Sequence, residues 1–181
     1  MNADPKKRET IHWLVSLLYS LLGTCNRLRT STLIIDEDGR IRGIGVNDSV
    51  AGTPSCDEVG HLLIDGHCLR TNHGEENAII HTEREYLDGA TARIVATPCI
   101  NCVKKLLEAG VARIEFVGSY SNALGREHIE ELCQQRGVPI VVKDIDWEGL
   151  FQETFDLLGE EGGMFHRLGF RLRVVKEGLP Q

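Results

Sequence analysis

The sequence predicts an α/β fold of three layers, in which a mixed five-stranded sheet lies between helices. Between residues 92 and 142, segments rich in β-branched residues alternate with helical segments. This alternation is typical of parallel strands joined by right-handed crossovers. Earlier in the chain, two short β-branched runs flank a turn at residues 36–39, which predicts an antiparallel hairpin. We therefore expect the last strands to be parallel and the first pair to be antiparallel.

The individual elements follow from local signals in chain order. Asp4 and Pro5 predict a helix start, because aspartate caps free N–H groups and proline suits the first turn. Apolar residues then recur at helical spacing and predict one stripe that packs on the sheet: Ile11, Leu14, Val15, Leu18, Leu21 and Leu22. Strands are predicted at 32–35, 41–46, 92–97, 113–117 and 139–142, and further helices at 74–86, 98–108, 124–135 and 145–158. Residues 170–175 could add an edge strand, whereas residues 47–72 lack periodicity and predict a long functional loop.

Length and charge limit the classes of function. We expect one domain over residues 1–181, with a tail at about 159–181 whose structure the pattern does not define. The net charge of −7 disfavours binding to a nucleic-acid backbone, but a small anionic substrate needs only one or two local cations. The chain has no apolar run of about 20 residues, so no membrane association is expected.

The cysteines and the N-terminus indicate the compartment. Basic residues at 6–8 precede an apolar run and superficially resemble a secretory signal, but Glu9, His12 and Trp13 interrupt it. The six cysteines form no short disulfide framework, and two of them have C-x-x-C spacing. This usage favours reduced thiols and metal binding in a cytoplasmic protein.

One histidine and two cysteines predict a zinc site. His73, Cys99 and Cys102 supply three ligands and leave the fourth position for water, which is typical of a catalytic zinc. Both halves of the motif fall at predicted helix starts, where N–H groups stabilise thiolates. Glu75 is the candidate catalytic proton carrier, since a carboxylate there can move a proton from water to a ring nitrogen and a leaving amine. A closed structural zinc site is the alternative, but it needs a fourth protein ligand and leaves Glu75 without a role.

The motif resembles a known family. H-x-E followed by P-C-x-x-C is the signature of zinc-dependent nucleobase deaminases. Residues 45–52, the pair at 56–57 and residues 67–73 are further similar to the deoxycytidylate (dCMP) deaminase family, a branch of the cytidine deaminase superfamily. The resemblance spans about residues 10–145. It implies a cytidine deaminase-like fold, the zinc ligands and proton shuttle named above, and hydrolysis of dCMP to a dUMP-type nucleotide and ammonia.

The same resemblance implies further contacts and partners. Asn47 is expected to contact the sugar hydroxyl of the substrate, and Arg27 to have a phosphate or structural role. Members are commonly homo-oligomers, often hexamers, regulated by dCTP and dTTP, and Mg²⁺ could accompany a regulatory nucleotide. Asp48 and Val50 replace the Gly and Pro usual after this asparagine, a departure in the segment linked to that regulation.

Two more substrate-binding residues are predicted. Gly74 replaces the alanine usual between the zinc histidine and the glutamate, so we expect extra room for a 5-substituted cytosine such as 5-methyl-dCMP. Tyr120 follows a predicted strand at the edge where ligands of α/β sheets gather, which places it near the nucleotide. Thr30 begins a Thr-Ser-Thr run that replaces a usual Val-Gly-Ala.

A second zinc site is predicted in the long loop. Its candidate ligands are Cys25, Cys56, His67 and Cys68, and His61 lies in the same loop. The alternative is that these are buried apolar thiols and solvated histidines. The function also has rivals: a deaminase of another base or of a nucleic acid, and a catalytically silent zinc- or nucleotide-binding regulator. The intact Glu75 disfavours the silent protein.

Overall fold

The computed structural model describes residues 4–118 and 124–175. The helices and strands, in chain order, are α1 (Pro5–Ser20), β1 (Ser31–Ile35), β2 (Ile41–Val46), β3 (Asp48–Ser49), α2 (Cys56–Val59), β4 (Leu63–Ile64), β5 (His67–Cys68), β6 (Thr71–Asn72), α3 (Gly74–Ile80), β7 (Thr91–Val95), α4 (Ile100–Glu108), β8 (Arg113–Val117), α5 (Arg126–Arg136), β9 (Ile140–Lys143), α6 (Trp147–Gly159) and α7 (Met164–Leu168). The predicted helix 74–86 is shorter than expected, because it ends at Ile80 and a separate 3-10 turn follows at Arg84–Tyr86.

The central sheet has five strands in the order β2-β1-β7-β8-β9. β1 is antiparallel to both β2 and β7, whereas β7, β8 and β9 are parallel to one another. The chain connects the parallel strands through α4 and α5, as the alternation of patterns requires. The predicted mixed sheet with parallel last strands is confirmed.

Helices cover both faces of this sheet. On one face, α3, α4 and α5 share an apolar core with the strands, and its residues include Ala78, Val103, Ile129, Ile34, Ile94 and Ile114. On the other face, α1 buries Trp13 and Leu14 against β1 and β7. Strand residues alternate between these two sides because successive side chains of a strand point in opposite directions. The three-layer arrangement is confirmed.

The buried face of α1 differs from the predicted one. Ile11, Leu18, Leu21 and Leu22 are between 47% and 64% exposed, so the prediction that they form the stripe against the sheet was wrong. The buried face instead carries small polar residues next to Trp13. Ser16 Oγ lies 2.8 Å from Ser31 Oγ, and the Ser31 hydroxyl also donates to the Ser16 carbonyl. Small side chains let the helix approach β1 closely, and these hydrogen bonds satisfy their hydroxyls.

A network of charges links the same face of the sheet to α1. Glu115 is buried on β8 and accepts hydrogen bonds from Arg93 Nε and Arg113 Nε, each at 2.8 Å. Arg93 also lies 2.9 Å from His12 Nδ1 on α1. Burial raises the pKa of the Glu115 carboxyl, but the hydrogen bonds from Arg113 and Arg93 together outweigh it and hold that pKa below its usual value.

The long loop at residues 47–72 contains short regular pieces. β3 pairs with β6, β4 pairs with β5, and α2 forms one turn between them. α2 starts with a capping box, in which the Ser55 hydroxyl accepts from Glu58 N and the Glu58 carboxylate accepts from Ser55 N. Local hydrogen bonds therefore hold the loop in a defined structure, although its sequence shows no periodic pattern.

The chain divides into two compact units, one up to Lys143 and one from Asp144 onward. The second unit contains α6 and α7, and its phenylalanines form a chain of ring contacts through Phe151, Phe155, Phe165 and Phe170. Residues 170–175 form no strand, so that prediction was wrong. Instead, Val174 N donates to the side chain of Gln152 on α6, so this segment pairs with a helix side chain and not with a neighbouring strand. Within the described residues, no helix is long and apolar enough to cross a membrane.

The first turn of α3 lies directly on β2. A Cβ on Gly45 would collide with the backbone nitrogen of Ala78 and the carbonyl oxygen of Gly74. Glycine is therefore required at residue 45, because α3 can lie this close to β2 only where the strand residue has no Cβ.

We expect Gly45→Ala to destabilise the protein by about 1–3 kcal/mol, because the backbone of α3 must move away from β2. The free energy of unfolding by chemical denaturation measures this. Gly159→Ala is the control, since a Cβ at Gly159 meets no atom within 4 Å and the substitution at the end of α6 should not lower the stability. Equal stabilities of the two variants would contradict the close packing of α3.

We expect Glu115→Gln to lower the stability at neutral pH by about 1.5–3 kcal/mol, since it removes charged partners of Arg93 and Arg113. The folded-state pKa of Glu115 is depressed below its ordinary value of 4.5. Its contribution is therefore present above pH 4.5 and is lost as pH falls through the lower, folded-state value. Denaturation of both proteins between pH 3 and 7 checks this. A stability difference that does not shrink in acid would contradict it.

Candidate active site

Two helix N-termini bring the predicted zinc ligands together. His73 is the N-cap of α3, and Cys99 is the N-cap of α4. His73 Nδ1 lies 3.6 Å from Cys99 Sγ and 3.3 Å from Cys102 Sγ. For a tetrahedral zinc with bonds of about 2.1 Å to nitrogen and 2.3 Å to sulfur, such atoms would be about 3.6 Å apart. The three side chains therefore fit a zinc ion.

The backbone before α4 is strained where it enters the site. Ala96 follows β7 directly and has φ 126°, a value that side-chain-bearing residues rarely adopt. It is buried and lines the same cavity as the three ligands. Such a conformation costs on the order of 1–3 kcal/mol and persists only where its surroundings hold it in place. The turn from β7 into α4 thus places Cys99 at the end of the sheet.

Electrostatics favour an ionised sulfur at Cys99. A hydrogen bond with Cys102 and another with His73 outweigh burial and lower the pKa of the Cys99 thiol to about 4. Cys102 itself is buried, and without a metal its pKa is raised by its hydrogen bond with Cys99. A divalent cation would reverse that effect, because a coordinated thiol loses its proton.

Glu75 lies in the first turn of α3, next to the ligands. Its side chain is buried, with 4% of the residue exposed, and it lines the cavity beside His73. Burial raises the pKa of its carboxyl. A carboxylate in a dry site close to the metal ligands is the environment in which a general acid–base residue is tuned.

Glu76 has a structural task that the sequence reasoning missed. Its carboxylate accepts a hydrogen bond of 2.8 Å from His73 N and forms an ion pair with Lys105. Glu76 thereby closes a capping box at the start of α3 and ties α3 to α4, the two helices that carry the ligands. A signal was present in the sequence: a glutamate three residues after a helix N-cap is the usual partner in a capping box.

A cavity of about 670 Å³ opens onto these residues. It is lined by His73, Glu75, Cys99 and Cys102, and several other segments contribute to its wall. They include the stretch before β1 with Arg27, Leu28 and Thr30, the β4–β5 hairpin from Ile64 to Leu69, the end of β7, the α4 residues Lys104 and Lys105, and the single residues Asn47 and Leu124. This volume is in the range of small-molecule sites.

Gly74 does not lie in this cavity. A Cβ there would meet the Gly45 carbonyl oxygen at 3.2 Å and the Ser31 backbone at 3.5 Å, so it would point at the sheet. This contradicts the prediction that the missing methyl makes room for a 5-substituent. The position next to Glu75 in sequence suggested proximity to the base, but on a helix adjacent residues point in directions about 100° apart. Tyr120, the other predicted pocket residue, lies outside the described residues.

The second cluster forms, but with a different histidine. Cys25, Cys56, His61 and Cys68 have ligand atoms that all lie within 4.8 Å of one another. Cys56 Sγ is 3.5 Å from Cys68 Sγ, and Cys25 Sγ is 3.6 Å from His61 Nδ1. The predicted ligand His67 is absent from this group and lines the cavity instead. In the pairing of β4 with β5, consecutive residues point to opposite sides, so His67 and Cys68 cannot both face the cluster.

Asn47 lies at the cavity wall but is already hydrogen bonded. Its side-chain nitrogen donates to the carbonyl oxygens of Cys25 and Leu28, at 3.2 and 2.6 Å, and its Oδ1 accepts from Thr30 N at 3.0 Å. Both of its N–H donors are therefore used within the protein. The predicted sugar contact could use only the remaining lone pair of Oδ1.

An open set of three ligands beside a buried glutamate, at the ends of two helices, defines the zinc-dependent hydrolytic deaminases. The comparisons with known proteins agree. The family model described as "Cytidine and deoxycytidylate deaminase zinc-binding region" matches residues 6–118, and the chain belongs to this family.

Individual relatives are similar to the chain in sequence, and a solved structure is similar to it in fold. The chain is 35% identical over 133 residues to "ComE operon protein 2" of Bacillus subtilis (strain 168), which covers 72% of this chain and 68% of that protein. It is 28% identical over 104 residues to "Deoxycytidylate deaminase" of Mycobacterium phage D29, or 51% of this chain and 80% of that one. The fold is similar to that of dCMP deaminase from the cyanophage S-TIM5, solved in complex with dCMP and dUMP. That match has a TM-score of 0.61 and 22% identity, and it covers 78% of this chain and all of the other.

Proposed function

We propose that this deaminase acts on dCMP and converts it to dUMP and ammonia. The observation that carries the proposal is the shape of one cavity. The buried Glu75 and the zinc ligands form one part of its wall, and Arg27 lies on another part. A cytosine ring at the ligands with a 5′-phosphate near Arg27 fits this arrangement. The deoxycytidylate deaminases among the relatives support the same substrate class.

Arg27 is the guanidinium on the cavity wall, which also carries Lys104 and Lys105, the latter paired with Glu76. It is half-buried at the cavity, and within residues 4–118 and 124–175 no side-chain hydrogen bond or ion pair of Arg27 is found. The nearby Arg29, by contrast, donates to the carbonyl oxygens of Leu21 and Gly23 and faces Asp57. A guanidinium that is free to pair and partly shielded from water binds phosphate strongly, because it can offer two parallel N–H donors.

The chain's own groups move the protons of the reaction. Bound zinc would supply the Lewis acidity that activates water at neutral pH. Glu75 takes one proton from the attacking water and delivers it to the ring nitrogen. It then takes the proton of the hydroxyl group formed on the ring carbon and gives it to the amine, which leaves as ammonia when the C–N bond breaks and the carbonyl forms. Burial raises the pKa of its carboxyl, and Ile94 and Ala96 add buried apolar surface to the cavity wall. The buried position of Glu75 beside the ligands also disfavours a catalytically silent regulator.

We further propose that Cys25, Cys56, His61 and Cys68 hold a second, structural zinc. Four protein ligands close the coordination sphere, as in structural sites. Sulfurs on a tetrahedral zinc would lie about 3.8 Å apart, close to the 3.5 Å between Cys56 and Cys68. The ligands come from four places in the chain, namely the turn before β1, the start of α2, the stretch between α2 and β4, and strand β5. A metal there would join them.

Assembly and regulation extend the proposal. We propose a homo-oligomer, of which a hexamer is the form that the family resemblance implies, with dCTP, dTTP and Mg²⁺ as regulatory ligands. Asp48, which departs from the usual sequence, accepts hydrogen bonds from Thr24 Oγ1 and from Ser49 N. The Asp48 carboxylate is thus hydrogen bonded within the protein. Because Asp48 lies in the segment linked to regulation, the effect of dCTP and dTTP has to be measured separately from deamination.

Glu75→Gln should abolish ammonia release from dCMP, with a fall in kcat of at least about 10²-fold, because glutamine cannot carry a proton. Zinc content should stay that of the wild type, since the metal ligands are intact. The assay uses a panel of dCMP, CMP, deoxycytidine and a cytosine oligonucleotide. Turnover of the oligonucleotide without turnover of dCMP would refute the proposed substrate, and activity that survives Glu75→Gln would refute the proposed mechanism.

Metal analysis tests the second zinc. We expect two zinc ions per chain in the wild type and one in His61→Ala, because that variant opens the four-ligand cluster. His67→Ala is the matched control from the same loop and should retain two. A single zinc in the wild-type protein, or loss of one in His67→Ala but not in His61→Ala, would contradict the assignment.

A further inference from the structure

The segment from Gly23 to Thr30 forms part of the cavity wall without regular secondary structure. It carries Cys25, a member of the second cluster, and Arg27, the cation at the cavity. Within the segment, Leu28 N donates to the Cys25 carbonyl oxygen at 3.3 Å, and Arg29 donates to the Gly23 carbonyl oxygen at 2.7 Å. Its position therefore depends on bonds to the rest of the fold.

Asn47 makes five of those hydrogen bonds, more than any other residue that the structure describes. Others join Thr24 to Asp48, Asn26 to His61 and the Thr30 hydroxyl to the Val95 carbonyl oxygen. The Asn47 side chain donates to the carbonyl oxygens of Cys25 and Leu28 and accepts from Thr30 N. The Asn47 backbone adds two more, since Thr24 N donates to its carbonyl oxygen at 3.0 Å and its own N–H donates to the Thr30 carbonyl oxygen at 3.4 Å. Asn47 is only 5% exposed, so these bonds are shielded from water and are costly to lose.

Gly23 shows how closely the segment wraps around this side chain. A Cβ on Gly23 would collide with Asn47 Oδ1. The φ of Gly23 lies outside the left-handed region, so glycine is present for space and not for backbone conformation. The carboxamide therefore occupies a fitted position between the end of α1 and the loop that follows.

We propose that Asn47 is a positioning residue, whose carboxamide fixes the segment 23–30 and thereby sets Arg27 at the cavity wall and Cys25 in the second cluster. The inference rests on the proposed function, since Arg27 is taken to bind the phosphate. It differs from a direct contact between Asn47 and the sugar hydroxyl. The Asn47 nitrogen has no donor left for the sugar, because both of its N–H groups are already used, and only the second lone pair of Oδ1 remains.

Two substitutions at Asn47 distinguish these roles. Asn47→Asp keeps an oxygen that can accept from a sugar hydroxyl, but it places a carboxylate against the carbonyl oxygens of Cys25 and Leu28. A positioning role therefore predicts that Asn47→Asp is at least as damaging as Asn47→Ala. We expect both to raise KM for dCMP by about tenfold or more, with kcat within about threefold of the wild type, because Glu75 and the zinc ligands are untouched.

The substrate 2′,3′-dideoxycytidine 5′-monophosphate completes the test. If Asn47 acts through the segment, its substitution should raise KM by the same factor on this substrate, which lacks the 3′-hydroxyl. Gly23→Ala should reproduce the effect, because it displaces the carboxamide without changing it, and it carries the test if Asn47→Asp does not fold. Near-normal kinetics of Asn47→Asp, with a loss in Asn47→Ala confined to dCMP, would overturn the proposal in favour of a direct sugar contact.

Hydrogen–deuterium exchange makes the test independent of the substrate. We expect faster exchange of the backbone amides at 23–30 in Asn47→Asp and unchanged exchange in α4, which carries Cys102. Unchanged exchange at 23–30 would overturn the positioning role even in a protein that deaminates dCMP. Absence of wild-type activity on dCMP, with faster exchange at 23–30, would reject the proposed substrate and leave the positioning role supported.

Discussion

The structure depends on the meeting of two helix N-termini at the end of the sheet. α3 and α4 begin at His73 and Cys99, and their first turns hold the metal ligands and Glu75. Two contacts fix the meeting point. Glu76 caps α3 and pairs with Lys105 of α4, and Gly45 lets α3 lie directly on β2. Because free N–H groups and the helix dipole favour negative charge, this geometry is suited to thiolates and to a carboxylate.

The loop at residues 47–72 has the second structural task. A 26-residue segment without long helices or strands cannot bury a core of its own, so it needs other links. It has paired two-residue strands, a capped turn and the group of Cys56, His61 and Cys68 with Cys25. The same loop lines the cavity through its β4–β5 hairpin. The contacts that stabilise the loop therefore also shape the cavity.

Polar contacts are unusually important on the α1 side of the sheet. Ser16 meets Ser31, and Arg93 joins Glu115 to His12. These groups are buried, and each is satisfied by a partner, as burial of polar atoms requires. The apolar core on the opposite face is the more usual kind, with Val103, Leu106 and Ile114 almost free of solvent contact. The two faces of one sheet are thus held by different interactions.

The sequence by itself predicted the sheet with its parallel last strands, and it singled out His73, Glu75, Cys99 and Cys102, which the structure brings together. These features depend on residues that are near one another in the chain. They include the periodicity of strands and helices and the spacing of ligands on one helical turn. Tertiary structure decided what depends on direction and on distant neighbours. It buried the Trp13 and Ser16 side of α1 although the apolar spacing favoured Ile11 and Leu18, and it brought His61 to the thiols in place of His67. It also turned Gly74 toward the sheet, because the side of an element that faces a given neighbour is set by packing and not by order along the chain.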